Sequence, residues 1–175
     1  MIEKVIGGLQ WAEEGYPNFL CLLVEQKQNA QDSLEPQTEY LNIIKEIEGE
    51  TILELTEQIE DEMQLIYAPN DAKYTTFIRD FNTWRREEGY HFQFKPSVHS
   101  SFESGILRIK DFIREDKLRF PKDSKIKEQL KIFSELSYKS KGSFYAVSAL
   151  SHAISSIRKR VSTTAEPEPE LGSWH

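Results

Sequence analysis

The first part of the chain carries apolar residues in patterns that are typical of β-strands. Three runs predict strands, over residues 4–11, 18–26 and 40–47. The second run is continuously apolar from Phe19 to Val24, which favours a strand buried on both faces, whereas the third alternates between apolar and polar positions. Thr51 then begins a helix, because Glu54 follows three positions later as in a capping box.

The rest of the chain alternates between short apolar runs and segments with helical periodicity. Further strands are predicted over residues 64–68, 91–94 and 118–121. One helix has Phe77, Ile78, Phe81 and Trp84 as its apolar stripe and ends at Gly89, and a second, over residues 101–114, points Ile106, Ile109 and Ile113 inward. Two more helices are predicted over residues 124–136 and 143–160.

This order of elements predicts an α/β domain with a mixed β-sheet and helices on both faces, as in the ribonuclease-H-like fold. The 175 residues suffice for one such domain, which we expect over residues 1–161. Residues 162–175 are rich in proline and glutamate and predict a disordered tail.

Short motifs strengthen this interpretation. The strand Gly7-Gly8-Leu9-Gln10-Trp11 resembles the Gly-Gly-Ile/Leu-Asp-Trp-Gly that opens the nuclease domain of phage terminase large subunits. Leu65-Ile66-Tyr67-Ala68 is similar to the second metal-binding strand of that family, and Lys95-Pro96-Ser97-Val98 to its Lys-x-Ser-Val. Ala146-Val147-Ser148-Ala149-Leu150 closes the pattern, so that the resemblance covers about residues 4 to 160.

The resemblance implies DNA hydrolysis by two divalent metal ions, which two or three convergent carboxylates hold. Mg²⁺ and Mn²⁺ require hard oxygen ligands. At the positions of the family's acids this chain has Gln10, Pro69 and either Phe144 or Tyr145. We therefore expect a catalytically degenerate domain that binds no cofactor.

A shifted set of acids is the alternative. Asp71, Glu13 and Glu14 follow the predicted fourth and first strands, at the strand ends where α/β proteins place their sites. They would hold Mg²⁺ or Mn²⁺ in an active endonuclease, but no acid replaces the aromatic pair on the last helix. His152 stands at helical offset from Ser148 and is expected on a helix face or in the core.

The net charge of −7 conceals an asymmetry. Residues 1–90 hold 7 Lys/Arg and 19 Asp/Glu, whereas residues 91–165 hold 15 Lys/Arg and 7 Asp/Glu. The basic half could contact double-stranded DNA. On the family's topology the following residues are expected around the loops that flank the old active site: Lys95, Arg119, Lys122, Lys139 and Lys141. A further class, a structural scaffold for protein interactions with no nucleic-acid role, fits the acidic half equally well.

The remaining features concern location and partners. No apolar run approaches the roughly 20 residues that span a bilayer, and the single cysteine, Cys21, lies in an apolar run, as in a reduced cytoplasmic protein. The resemblance implies the bacterial host cytoplasm, with an ATPase motor, a portal or a small terminase subunit as partners. The chain has no Gly-x-x-x-x-Gly-Lys-Ser/Thr motif of its own. We expect a separately encoded prophage-type protein, and the alternative is a domain excised from a longer one.

Overall fold

The computed structural model describes residues 2–12, 15–28, 37–51, 54–55, 65–69, 72–89, 93–97, 102–133 and 144–157. Within them six strands form one sheet: β1 (Ile2–Gln10), β2 (Asn18–Gln28), β3 (Gln37–Gly49), β4 (Leu65–Ala68), β5 (Gln93–Pro96) and β6 (Leu118–Arg119). Four helices are described: α1 (Ala72–Glu87), α2 (Phe102–Arg114), α3 (Lys125–Phe133) and α4 (Tyr145–Ile154). The predicted tail over residues 162–175 lies outside the described residues.

The sheet is mixed, in the order β5-β4-β1-β2-β3-β6. β1 pairs antiparallel with β2 and parallel with β4, and β4 pairs parallel with β5. The sequence predicts that the apolar runs Phe19–Val24 and Leu65–Ala68 are neighbouring strands, and that prediction is wrong. β1 separates them, since the first strand of the chain takes the place between β2 and β4.

Helices cover both faces of the sheet, as the sequence predicts. Side chains of α2, α3 and α4 form one apolar cluster with strand residues such as Ile6, Cys21 and Leu23. The opposite face packs against Leu55 and against Ile78 of α1, together with strand residues that include Leu9 and Phe94. The core is therefore two layers of apolar side chains, one on each side of the sheet.

Several local predictions can be compared with these elements. Thr51 Oγ accepts a hydrogen bond from the Glu54 N–H at 3.3 Å, as its predicted role at a helix start requires. Gly89 ends α1 with a φ of 82°, a conformation that favours glycine. The inward position predicted for Ile113 is wrong, because this side chain is 45% exposed and Phe112 is buried instead.

Cys21 is fully buried at the centre of the sheet, as predicted. Burial is the main cause that raises the pKa of its thiol far above the ordinary value, with a smaller contribution from the nearby carboxylate of Glu46. Because the thiolate is the reactive form, this cysteine is an inert part of the core. In the described part of the chain, no helix is long and apolar enough to cross a membrane.

Candidate functional site

The last helix lies directly against the first strand. At Gly8, an added Cβ would overlap the carbonyl oxygen of Ala149 and would stand 2.7 Å from Cβ of Ala153. Only glycine in the strand, facing alanines in the helix, permits this approach. The close packing brings the middle of α4 over the carboxyl end of β1, where Gln10 is the last strand residue.

Gln10 contacts the helix through a hydrogen bond. The hydroxyl of Ser148, which is 4% exposed, donates to Oε1 of Gln10 at 2.6 Å. The same hydroxyl oxygen lies 3.5 Å from Nε2 of His152, one helical turn later. Since the Ser148 proton is directed at Gln10, its oxygen can accept from His152 in the tautomer that carries a proton on Nε2. An amide, a hydroxyl and an imidazole therefore form a connected polar group at this strand end.

The two aromatic residues at the start of α4 lie elsewhere. Phe144 is 2% exposed and belongs to the apolar core. The phenol of Tyr145 donates to Oε1 of Glu48 at 2.8 Å. Burial, followed by the hydrogen bond to Glu48, raises the pKa of Tyr145 far above its ordinary value, so its phenol is neutral. The α4 side chain that meets Gln10 is therefore Ser148, three residues after Tyr145.

A side chain from α3 caps the first turn of α4. Oε1 of Gln129 accepts hydrogen bonds from the backbone N–H groups of Ala146 at 2.9 Å and Val147 at 3.3 Å. Gln129 is itself only 7% exposed. Two of the donors that a helix start leaves without an intrahelical partner are thus already bonded within the protein.

Pro69 lies at the same end of the strands as Gln10, namely the carboxyl end of β4 beside that of β1. The parallel register pairs Gly8 with Tyr67, so the residues two positions further along both strands are Gln10 and Pro69. Pro69 is buried and has no side-chain group that could bind a metal ion. Neighbouring strand ends thus present an amide and an apolar ring at the positions where the resemblance implies carboxylates.

The residues of the alternative metal site, Asp71, Glu13 and Glu14, lie outside the described part of the chain. Among the residues that are described, no three His, Cys, Asp or Glu side chains lie close enough together to hold a metal ion. The described groups at the end of β1 are an amide, a hydroxyl and an imidazole, and they do not fit a site for two Mg²⁺ or Mn²⁺ ions, which requires carboxylates.

Two described residues of the predicted DNA-contacting set lie far apart. Lys95 lies on β5 and Arg119 on β6, which are the two opposite edge strands of the sheet, about 24 Å apart at the usual strand spacing. This pair therefore does not share one surface patch, and the DNA-contacting set stays a prediction. Lys122 is exposed just beyond β6, and Lys139 and Lys141 lie outside the described residues.

A known structure has a similar arrangement of elements. The chain superposes on the nuclease domain of the g2p large terminase of bacteriophage SPP1, a crystal structure with bound Mn, with a TM-score of 0.53. The match covers 86% of this chain and 85% of that one at 10% sequence identity. The fold is that of a terminase nuclease domain. It is thus ribonuclease-H-like, as the sequence predicts.

No protein-family model and no curated protein matches the sequence. At 10% identity the likeness establishes the fold alone, and function has to be argued from the side chains.

The sequence motifs did not identify Ser148 or Gln129 as site residues. A signal for Ser148 exists, because it stands four residues before His152, on the same side of a mostly apolar helix. Gln129 offers no such signal. Its contact with α4 spans 17 residues along the chain and depends on how α3 packs.

Proposed function

We propose that this chain is a terminase-nuclease-like domain that does not hydrolyse DNA and that acts in viral genome packaging as a DNA-binding or docking module. The fold supports the relation to terminase nucleases. The observation that carries the loss of hydrolysis is the side chain at the end of β1, where the amide of Gln10 is held by Ser148. Its setting would be the cytoplasm of a bacterial host, beside an ATPase motor, a portal or a small terminase subunit.

The chemistry of that amide supports the proposal. Metal-dependent hydrolysis of DNA draws on carboxylates whose negative charge balances the two cations. The carboxamide of Gln10 is neutral, and its oxygen already accepts a short hydrogen bond from Ser148. A cation that used this oxygen would have to break that bond and would gain no charge compensation. Loss of a supporting group around a ligand alone costs about 10- to 100-fold in metal affinity, so loss of the ligands costs more.

Cleavage of supercoiled plasmid tests the first part. We expect the purified chain to nick no more plasmid with Mg²⁺ or Mn²⁺ than with EDTA, while a metal-dependent endonuclease cuts under the same conditions. Asp71→Ala and Glu13→Gln/Glu14→Gln serve as matched variants. Metal-dependent nicking that disappears in these variants would overturn the proposal in favour of an enzyme with shifted carboxylates.

Fluorescence anisotropy with a labelled duplex tests the second part. If about four lysine or arginine side chains contact phosphates, the logarithm of the association constant falls with the logarithm of the salt concentration with a slope of about −3.6. Lys139→Glu/Lys141→Glu should then bind more weakly at low salt than the wild type. Equal behaviour of the two proteins would remove the DNA role and leave protein docking.

A further inference from the structure

Three aromatic rings meet beside an exposed carboxylate where β2 begins and β3 ends. The ring of Tyr145 lies 5.8 Å from that of Tyr16 and 5.6 Å from that of Phe19, measured between ring centroids. The Tyr145 phenol reaches Glu48 at 2.8 Å. Tyr16 is 37% exposed, and Glu48 is exposed as well. We call the set Tyr16, Glu48 and Tyr145 the tyrosine–glutamate surface.

The carboxylate of this surface has no positive partner in the described part of the chain. No described lysine, arginine or histidine forms an ion pair with Glu48. Its hydrogen bond comes from a neutral phenol, which occupies one of about four lone-pair positions of a carboxylate. A second carboxylate, that of Glu128, lies close enough to Tyr145 to raise its pKa slightly, but it is ion-paired with Lys125 at 3.9 Å, so among the described residues Glu48 is the uncompensated charge of this surface.

Elsewhere in the same protein, another tyrosine ring and carboxylate already hold an arginine side chain between them. On the edge of the sheet the guanidinium carbon of Arg119 lies 4.8 Å from the ring centroid of Tyr40. Nη1 of Arg119 also donates to Oδ1 of Asp116 at 3.2 Å. A tyrosine face and a carboxylate thus hold one guanidinium between them. The tyrosine–glutamate surface supplies the ring and the carboxylate, and both are exposed.

We propose that the tyrosine–glutamate surface receives an arginine side chain from a partner polypeptide. A planar guanidinium can stack on the ring of Tyr16 while it donates to the free positions of Glu48, which an ammonium cannot do with the same geometry. The negative charge excludes a nucleic acid backbone as the occupant. This inference rests on the docking role proposed above and gives the chemistry of the partner.

Titration with a short capped peptide, Ac-Gly-Arg-Gly-Arg-Gly-NH₂, followed by two-dimensional NMR of the ¹⁵N-labelled chain, tests the inference. Amide signals of Tyr16, Glu48 and Tyr145 should shift, and the shifts should shrink as salt is added. Glu48→Gln, which keeps the shape but removes the charge, should weaken binding by about three- to fivefold. Glu88→Gln, an exposed acid at the far end of α1, is the matched control and should bind as the wild type does.

Two further measurements decide between occupants. A peptide with citrulline in place of arginine has nearly the same shape without the charge, and we expect it not to shift these signals. Equal binding of both peptides, or an unchanged affinity in Glu48→Gln, would overturn the inference. A gain in peptide affinity in Lys139→Ala/Lys141→Ala would overturn it also, because the chain's own lysines would then be the occupants. These results do not bear on plasmid cleavage, so the two proposals fail separately.

Discussion

Replacement of Gly8 by alanine tests how closely the last helix has to approach the sheet. An added Cβ would overlap the carbonyl oxygen of Ala149 and would stand 2.7 Å from both Cβ and N of Ala153, whereas ordinary contacts begin at 3.4 Å. Two of these three atoms belong to the backbone, so a change of rotamer relieves nothing. The helix has to move away from β1, and all its buried side chains move with it.

The cost follows from this overpacking. Extra methylenes in a well-packed core cost typically about 1–3 kcal/mol, and we expect about 3 kcal/mol or more for Gly8→Ala because the clash is with backbone. For a chain of this length that corresponds to a fall in Tm of about 6–12 °C. Thermal unfolding followed by circular dichroism measures it.

Two variants separate the clash from other effects of losing a glycine. Gly89 has a φ of 82° and no atom near the added Cβ, so Gly89→Ala reports backbone strain alone, about 1–2 kcal/mol. Ala153→Gly on the Gly8→Ala background removes one contact but not the overlap with Ala149, and it should restore only part of the stability. If Gly8→Ala costs no more than Gly89→Ala, the close approach of α4 to β1 is refuted.

Three further variants test side-chain contacts, each by urea unfolding. Asn82→Ala should cost about 2 kcal/mol in the free energy of unfolding, because the Asn82 amide exchanges two hydrogen bonds, of 2.8 and 2.9 Å, with the backbone of Phe94 on the edge strand β5. Thr83→Ala, at an exposed position, is the control and should cost less. Gln129→Leu should cost about 1–3 kcal/mol, since it leaves two buried N–H groups of α4 without an acceptor, and a loss near zero would contradict that role. Burial lowers the pKa of Lys110 to about 8, so between pH 8 and about 10.4 the unfolded chain binds the proton more tightly and stability rises with pH. Lys110→Met should therefore stabilise the protein most below pH 8 and less at pH 10; a gain that is the same at both pH values would contradict this.

The sequence predicts the elements better than their arrangement. The continuous run Phe19–Val24 and the alternating run after Tyr40 are strong local signals, and both segments are strands. Strand order depends on contacts between distant residues, which the pattern of a single strand does not encode. β1 lies between β2 and β4, and α4 packs on its Gly8, but a glycine in a strand run does not reveal which helix it will meet.

The motifs select Gln10 at the strand end, and on the helix the contact to Gln10 comes from a residue that they do not select. Gln10 ends β1 and Pro69 follows β4, and these two strands are parallel neighbours. On the helix, the alignment of motifs selected Phe144 and Tyr145, yet the side chain that reaches Gln10 is Ser148. Ser148 follows Tyr145 by three residues and Phe144 by four, so it lies on the same side of α4 about one turn further on, and a shift of one turn separates the motif positions from the contact. Packing against β1, which the motif does not describe, decides which residue faces the strand end.

The contact between α4 and β1 therefore governs both the stability of the fold and the polar groups at the strand end. Gly8 lets α4 approach, and two residues later on the strand Gln10 meets the helix at Ser148, one residue before Ala149. A substitution at Gly8 would disturb both, whereas a substitution at Gln10 changes only the polar group, because Gln10 is half-buried and outside the apolar clusters. The side chain at this position can thus vary without loss of the fold, in keeping with an architecture that is shared at 10% sequence identity.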